Sequence, residues 1–337
     1  MDEFKKFPTT QYLGSKQKLI EWIINRTPKV DSILDAFSGS GVVSYYFKRK
    51  GVKVLSNDFL RSSFYYSKAL IENNKTTLSK EDVNMLLSEN KSKKNYVESN
   101  FADFFYTREE CIFIDNLIAN IEKLDDQYKR ALALSCLIRT CIQKIPGGKF
   151  RRNLLKYRDK NFKHYRPKFI RDIKETFLSF VNKFNAAVFD NGKENKAYND
   201  NIFDLIKNIK TDAIYFDPPY GGSGFDYEKD YFFIELIAKY YGQINEFFGK
   251  SKVYKDLQFS GFNKNHLLLE SFDNLFSSAK HIPLWIISYN NRSLPKFEEF
   301  TDLIKKYKKI SQVYEKEYHY KIGDSKGLKE YLFICVD

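Results

Sequence analysis

The chain has 337 residues, 43% of them hydrophobic, with a formal net charge of +13 and a sequence pI of about 9.2. That length and apolar content exclude a disordered chain and suit one large or two ordinary domains, while the basic excess points to a polyanion such as nucleic acid, unless it is only a lysine-rich composition. Cys111, Cys136, Cys141 and Cys335 form no CxxC pair, the four histidines form no HExxH, and no run nears the ~18 apolar residues of a membrane span, so the expectation is a cytoplasmic protein with no metal site, disulfide framework or membrane contact.

KQKLIEWIINR (residues 16–26) carries Leu19, Ile20, Ile23 and Ile24 at helical spacing, and Pro28 follows. DSILDAFSGSGVVSYYFKRKG predicts a strand over 32–36, a turn over 37–41 and a helix over 42–50 ended by Gly51. VKVLSND predicts a second strand ending at Asn57-Asp58, which completes a βαβ unit of a parallel sheet. From about 77 to 189 the chain is charged and helical in pattern, with apolar repeats in DNLIANIEKL and RALALSCLIRTCIQKI. Pro146-Gly147-Gly148 breaks the second of these, and residues 144–174 then carry twelve Lys or Arg against two acids.

The βα pattern returns at 197–206 and in TDAIYFDPPYGG (211–222). There a buried strand runs into Asp217 and two prolines, which continue neither strand nor helix. PLWIISYNN predicts a further buried strand, FEEFTDLIKKY a helix, and the last residues a β-hairpin about Gly323–Gly327. The expected organisation is an α/β catalytic domain over 1–75 plus 195–337, with room for a small insertion over 221–281. A mainly helical, basic target-recognition region over 76–194 interrupts it.

Phe37-Ser38-Gly39-Ser40-Gly41 lies where a strand turns into a helix. Glycine there permits a tight turn and close approach of a ligand, and ligands of open parallel sheets bind at this edge. The glycines alone fit a plain βα turn equally well. Asp58, 17 positions after Gly41, ends the next strand, where an acid can accept from both hydroxyls of a ribose. The turn lacks the full GxGxxG pattern and has no GK[ST] phosphate loop, so a nucleoside without a diphosphate is expected; S-adenosylmethionine is the commonest.

DPPY suits transfer to an exocyclic amine. The amine lone pair is delocalised into its ring, and two acceptors aimed at its hydrogens favour a pyramidal, nucleophilic nitrogen. The Asp217 carboxylate and the Pro218 carbonyl are the candidates, Pro218 and Pro219 brace them, and Tyr220 offers a stacking face. A base in a duplex must first leave the stack. The plainer alternative is a strand followed by a proline-braced loop.

Taken together, TQYLGSKQKLIEWI, ILDAFSGSG, VLSND and IYFDPPY resemble, in order, the motifs of the D12 class of DNA adenine-N6 methyltransferases, which includes the Dam enzymes. IISYNN and EYLFICV resemble that class's later strands, and the middle of the chain matches only by position. The resemblance implies an α/β fold: a Rossmann-like S-adenosylmethionine-dependent methyltransferase sheet with a terminal β-hairpin and a mainly helical DNA-recognition domain. It implies that Tyr12 and Lys16 contact the cofactor, that Phe37, Gly39 and Gly41 line its pocket, and that Asp58 holds its ribose. Asp200 falls beside the cofactor adenine on a looser match, and Asp217, Pro218, Pro219 and Tyr220 handle the target adenine, with Asp217 also bordering the cofactor. Without the resemblance, Tyr12 reads as core and Lys16 as a solvated charge.

For DNA, the candidates are Lys149, Arg151, Arg152, Lys156, Arg158, Lys163 and Arg166, interleaved with Phe150, Tyr157, Phe162 and Tyr165. A solvated basic helix over an aromatic core is the alternative. Asn263, Lys264 and Asn265 are placed near the flipped base.

The expected function is sequence-specific methylation of adenine N6 in double-stranded DNA by direct in-line transfer, with a cognate restriction endonuclease acting separately. No cysteine stands in a Pro-Cys context for covalent catalysis on cytosine C5. Two readings stay open: an amino-methyltransferase on cytosine N4 or on adenine in RNA, and a non-catalytic DNA-binding module that has kept the fold. Asp rather than Ser before the double proline favours adenine. The oligomeric state, the target sequence and the number of strands modified are open.

Overall fold

A computed structural model describes residues 5–150, 155–219, 227–240, 247–248, 253–254, 261–263, 265–317 and 327–337. The chain divides into a unit built on a sheet (residues 16–59, 191–226 and 258–337) and a helical unit (1–15, 60–190 and 227–257).

The sheet unit opens with a 3-10 turn at Lys16–Lys18 and a short helix α1 (Ile20–Ile24), so the 16–26 periodicity resolves into two pieces. Strand β1 (Ser32–Asp35), helix α2 (Val42–Arg49) and strand β2 (Lys53–Asn57) then fall within a residue or two of the expected spans. Gly51, at φ +79°, ends α2 where a side chain would strain the backbone.

In the helical unit follow α3 (Arg61–Ser67), α4 (Lys80–Leu87), α5 (Tyr96–Phe101), α6 (Arg108–Ile121), α7 (Gln127–Gln143) and α8 (Ile173–Ala187). Side chains cap the starts of four of them. Ser79 and Thr107 form capping boxes with Asp82 and Glu110, and Asp126 and Asp172 accept from first-turn amides of α7 and α8. Helix α7 is buried from Ala131 to Ile142, which is why its apolar pattern is broad rather than one-sided. Gly147, at φ +65°, turns the chain after it.

Next come β3 (Lys196–Tyr198), α9 (Ile202–Leu205) and the fully buried β4 (Ala213–Phe216) in the sheet unit. Helix α10 (Tyr227–Ala238) and the antiparallel pair β5 (Phe247–Phe248) and β6 (Val253–Tyr254) belong to the helical unit. Glu235 of α10 replaces the missing cap of α3: it accepts from the amides of Arg61 (3.0 Å) and Ser62 (2.8 Å) and from the Ser62 hydroxyl. The sheet unit closes with α11 (Leu268–Ala279), β7 (Leu284–Asn290), α12 (Phe297–Lys305), β8 (Lys309–Glu317) and β9 (Lys329–Val336). The turn between β8 and β9 lies mostly outside the described residues.

The seven strands run in the order β3-β2-β1-β4-β7-β9-β8. The first five are parallel, and β9 is antiparallel to both β7 and β8. Strand alternation sends Leu34, Ile214, Phe216, Trp285, Ile287 and Phe333 into one core with Phe272 and Phe276 of α11 and Phe300 of α12. Each such side chain contributes about 1.5–3 kcal/mol on burial, enough to hold short strands of four or five residues. The chain leaves β1 toward β2 on one side and pairs it with β4 on the other, so the topology reverses there. In an open α/β sheet the ligand crevice lies outside the carboxyl ends of those strands.

Candidate active site

The 37–41 turn sits at the carboxyl end of β1. Gly39 and Gly41 have φ of +49° and +77°, in the left-handed region that favours glycine. The Ser38 amide donates to Asn57 O (2.8 Å), and the Gly39 amide donates to Asp58 Oδ2 (2.7 Å), so the turn is fastened to the end of β2. Asn57 bonds outward on both sides: its Nδ2 donates to Ala36 O (3.3 Å) and its Oδ1 accepts from the Asp200 amide (3.1 Å). Asn199 Nδ2 donates to Asp58 O and Phe59 O. Asp200 is exposed and its main chain is thereby tied next to Asp58, itself 8% exposed.

Asp217 follows β4, and Pro218 is buried behind it. Lys16 is 5% exposed, so it is no solvated surface charge. Its Nζ lies 3.2 Å from Asp217 Oδ1 and 3.6 Å from Oε2 of Glu330, the latter an ion pair longer than a hydrogen bond. Burial pushes the Glu330 carboxyl up to about 7; Lys16 opposes this and Asp217 adds to it. Asp35, at the end of β1, accepts from the Ser44 amide (3.2 Å) and hydroxyl (2.7 Å). Burial pushes it up to about 7 as well, the Ser44 bonds oppose the rise, and the charges of Asp217 and Asp58 reinforce it. Burial also holds the Tyr215 hydroxyl well above its usual range, with Asp217 as the next contribution. Lys16 thus lies against two acids, Asp217 and Glu330, and Asp35 interacts with Asp217 and Asp58.

Phe37 is half-buried and meets Phe262 edge-on at 5.5 Å, while Phe203 of α9 stacks on Phe262 at 6.0 Å. Phe59, directly after Asp58, is an exposed large apolar side chain. Tyr12 belongs to the helical unit. Its ring stacks on Tyr227 (5.8 Å) and lies 5.1 Å from Tyr231, whose hydroxyl accepts from the Leu13 amide at 2.6 Å. Tyr220 lies outside the described residues.

The basic candidates separate into two kinds. Lys149 pairs with Asp230 (3.3 Å), and Arg158 pairs with Glu110, which also holds Lys144 at 2.7 Å. Lys156, Lys163 and Arg166 are exposed. Lys156 Nζ lies 5.6 Å above Tyr157 and 5.4 Å above Phe162, whose rings meet edge-on at 4.9 Å. Arg151, Arg152 and Lys264 lie outside the described residues; Asn265 is exposed, and the Asn263 side chain lies outside the description too.

Sequence reasoning missed Glu330, Asn57, Asp35, Phe203 and Phe59 as members of this edge. Asn57 and Phe59 flank Asp58 and could have been found by asking what holds a strand-end acid in place. Glu330 carries no local signal: it is one acid in a Lys- and Glu-rich tail.

Residues 12–322 match the D12 class N6 adenine-specific DNA methyltransferase family. The chain is 33% identical over 327 residues to type II methyltransferase M2.HphI of Haemophilus parahaemolyticus, covering 94% of this chain and 93% of that one. It is 26% identical to modification methylase LlaI of Lactococcus lactis subsp. lactis and 27% identical to type II methyltransferase M.FokI of Planomicrobium okeanokoites. Those matches cover 88% and 96% of this chain but 49% and 52% of the two relatives, so the chain spans about half of their length. With the DPPY aspartate, the turn and the strand-end acid gathered along one edge of a seven-stranded sheet, the chain belongs to the D12 class of N6 adenine-specific DNA methyltransferases.

Proposed function

We propose that the protein transfers a methyl group from S-adenosylmethionine to N6 of a flipped adenine in double-stranded DNA, as the modification enzyme of a type II restriction–modification system. The observation that carries this reading is the Asp217 carboxylate at the end of β4, in the sheet that also fastens the 37–41 turn to Asp58. The strand order, with β9 as the lone antiparallel insertion between β7 and β8, supports a Rossmann-like methyltransferase sheet. The relatives' names as type II and modification methyltransferases support the biological role and a nuclease that acts separately.

The residues present fit the cofactor. A turn with two glycines at positive φ lets a ligand lie against main chain, and the Asp58 carboxylate fastened to that turn supports its reading as a ribose acceptor. Acids at the carboxyl ends of β2 and β4, Asp58 and Asp217, suit a cationic ligand better than a polyphosphate. S-adenosylmethionine, when bound, supplies a methyl group activated by a sulfonium. On this reading Lys16, Phe37, Gly39, Gly41, Asp58 and Asp200 form its pocket in the sheet unit. Asp217 accepts from the adenine amine with the Pro218 carbonyl as the second acceptor, Pro219 braces the pair, and Tyr220 stacks on the base. The helical unit reads the DNA, and its exposed Lys156, Lys163 and Arg166 neutralise phosphates.

The test is transfer of labelled methyl to duplex DNA by Asp217→Ala, followed by nucleoside mass analysis for the wild type. The variant should lose activity while retaining DNA binding, and the wild-type product should be N6-methyladenine. Near wild-type activity in the variant, or N4-methylcytosine in the product, overturns the assignment.

A further inference from the structure

Arg139, on α7, is 5% exposed, and among the described residues no carboxylate pairs with it. A buried cation without a counter-ion is costly, and burial lowers this guanidinium to about 10. The groups it holds are neutral. Nε donates to Thr9 O at 2.6 Å, Nη2 donates to Gln143 Oε1 at 2.8 Å, and the Phe180 ring lies 4.6 Å from Cζ. The fork is planar and rigid, so one arm fixed to main chain orients the other.

Gln143 is the last residue of α7 and is half-buried. The bond from Arg139 settles which end of its amide is the oxygen. Among the described residues, nothing accepts a hydrogen bond from its Nε2. The backbone beside it is fixed as well. Pro146–Gly148 follow the helix as a turn, and a Cβ at Gly148 (φ +72°) would lie 3.4 Å from Ile142 Cγ2 and 3.5 Å from Gln11 O. The charge around the pair is positive: burial lowers the Lys168 ammonium, and the charges of Arg139 and of the exposed Arg166 lower it further. All these residues belong to the helical unit.

We propose that Gln143 is a specificity-determining residue that reads a guanine of the DNA recognition sequence through Nε2, and that Arg139 is its positioning residue. This rests on the reading of the protein as a site-specific DNA methyltransferase given above. The cation beside Oε1 disfavours the approach of a base N–H, such as adenine N6 or cytosine N4, to that oxygen. The free half of the amide is then a pair of donors. In the major groove guanine presents two acceptors, N7 and O6, whereas adenine presents one acceptor beside a donor. The neighbouring cations favour the same polyanionic partner.

The experiment uses the full-length wild type, Gln143→Ala, Gln143→Glu and Arg139→Lys. Methylated sites left by the wild type in host DNA are mapped by long-read sequencing. For each protein, kcat/KM is then measured on the cognate duplex and on duplexes with every base pair changed in turn, alongside melting temperature. Gln143→Ala should lower discrimination at one G·C pair at least about tenfold and leave the other positions unchanged. Its salt dependence of DNA affinity should stay that of the wild type, because no phosphate contact is removed. Gln143→Glu keeps a bond to Arg139 but offers the base no donor. It should lower kcat/KM on the cognate duplex more than Gln143→Ala does, and it serves as the test should the Ala variant fail to fold. Arg139→Lys cannot hold both acceptors in one fork and should weaken discrimination at the same pair alone. The inference is overturned if Gln143→Ala keeps wild-type discrimination at every position, loses activity equally on all duplexes, or relaxes an A·T pair instead. Full discrimination in Arg139→Lys overturns the positioning role. Absence of N6-methyladenine from DNA of the wild-type host would instead overturn the underlying reading, whatever Gln143 does.

Discussion

The amide of Gly39 donates to Oδ2 of Asp58 over 2.7 Å, so the glycine turn and the acid at the end of β2 form one hydrogen-bonded piece. Asp58→Ala should therefore do two things: remove the proposed ribose acceptor and leave a buried amide without its partner. Cofactor affinity should fall at least about tenfold, or ~1.4 kcal/mol, by calorimetry, with DNA affinity unchanged. Unaltered cofactor affinity would remove Asp58 from the pocket.

Gly14 has φ +75°, and a Cβ there would lie 2.8 Å from the Tyr227 hydroxyl. Gly14→Ala should destabilise the fold by about 1–3 kcal/mol through backbone strain and this clash. Adding Tyr227→Phe removes the clashing oxygen and should recover only the steric part. Denaturant unfolding of the two single variants and the double variant separates the contributions, and strict additivity would show that the clash is not the cause.

Asp35 is raised from 3.8 to about 7. Between those values the folded protein holds a proton that the unfolded chain has released, so stability falls as pH rises through this window. Asp35→Asn keeps an acceptor for Ser44 and has no proton to lose. Its advantage over the wild type in thermal melting should be greater at about pH 8 than at about pH 5. A constant offset between the two would show that Asp35 is ionised throughout.

Arg158 and Lys156 should behave differently although two residues apart. Arg158 is mostly buried against Glu110, and its removal leaves that carboxylate with Lys144 as its remaining partner. Arg158→Ala should cost about 3 kcal/mol of stability. Lys156→Ala and Lys163→Ala should leave melting unchanged but reduce the slope of log affinity against log salt by about 0.9 for each phosphate that is no longer neutralised. Equal melting of all three variants would contradict the division.

Much of the local structure was legible. The 32–58 stretch has an apolar run, glycines at the turn, a helical repeat, Gly51 and an apolar run ended by an acid, and each feature acts within a few residues. The resemblance added Lys16 to the candidate site, and its 3.2 Å pairing with Asp217 emerged only from the fold. Arg158 read as a DNA contact because charge pattern records only that a residue is basic; its burial against Glu110, 48 positions earlier, depends on how α6 meets the basic segment.

By itself, then, the sequence determined the family, the strand-end acids and the helical character of 77–189, because turn chemistry, periodicity and motif order are properties of neighbouring residues. Only the tertiary structure decided the strand order, the association of residues 1–15 and 227–257 with the helical unit, and the place of Glu330 beside Lys16. These depend on which distant segments bury one another: β1 pairs with β4 across some 180 residues, and an acid in the last strand reaches the ligand edge only because that strand runs backwards through the sheet.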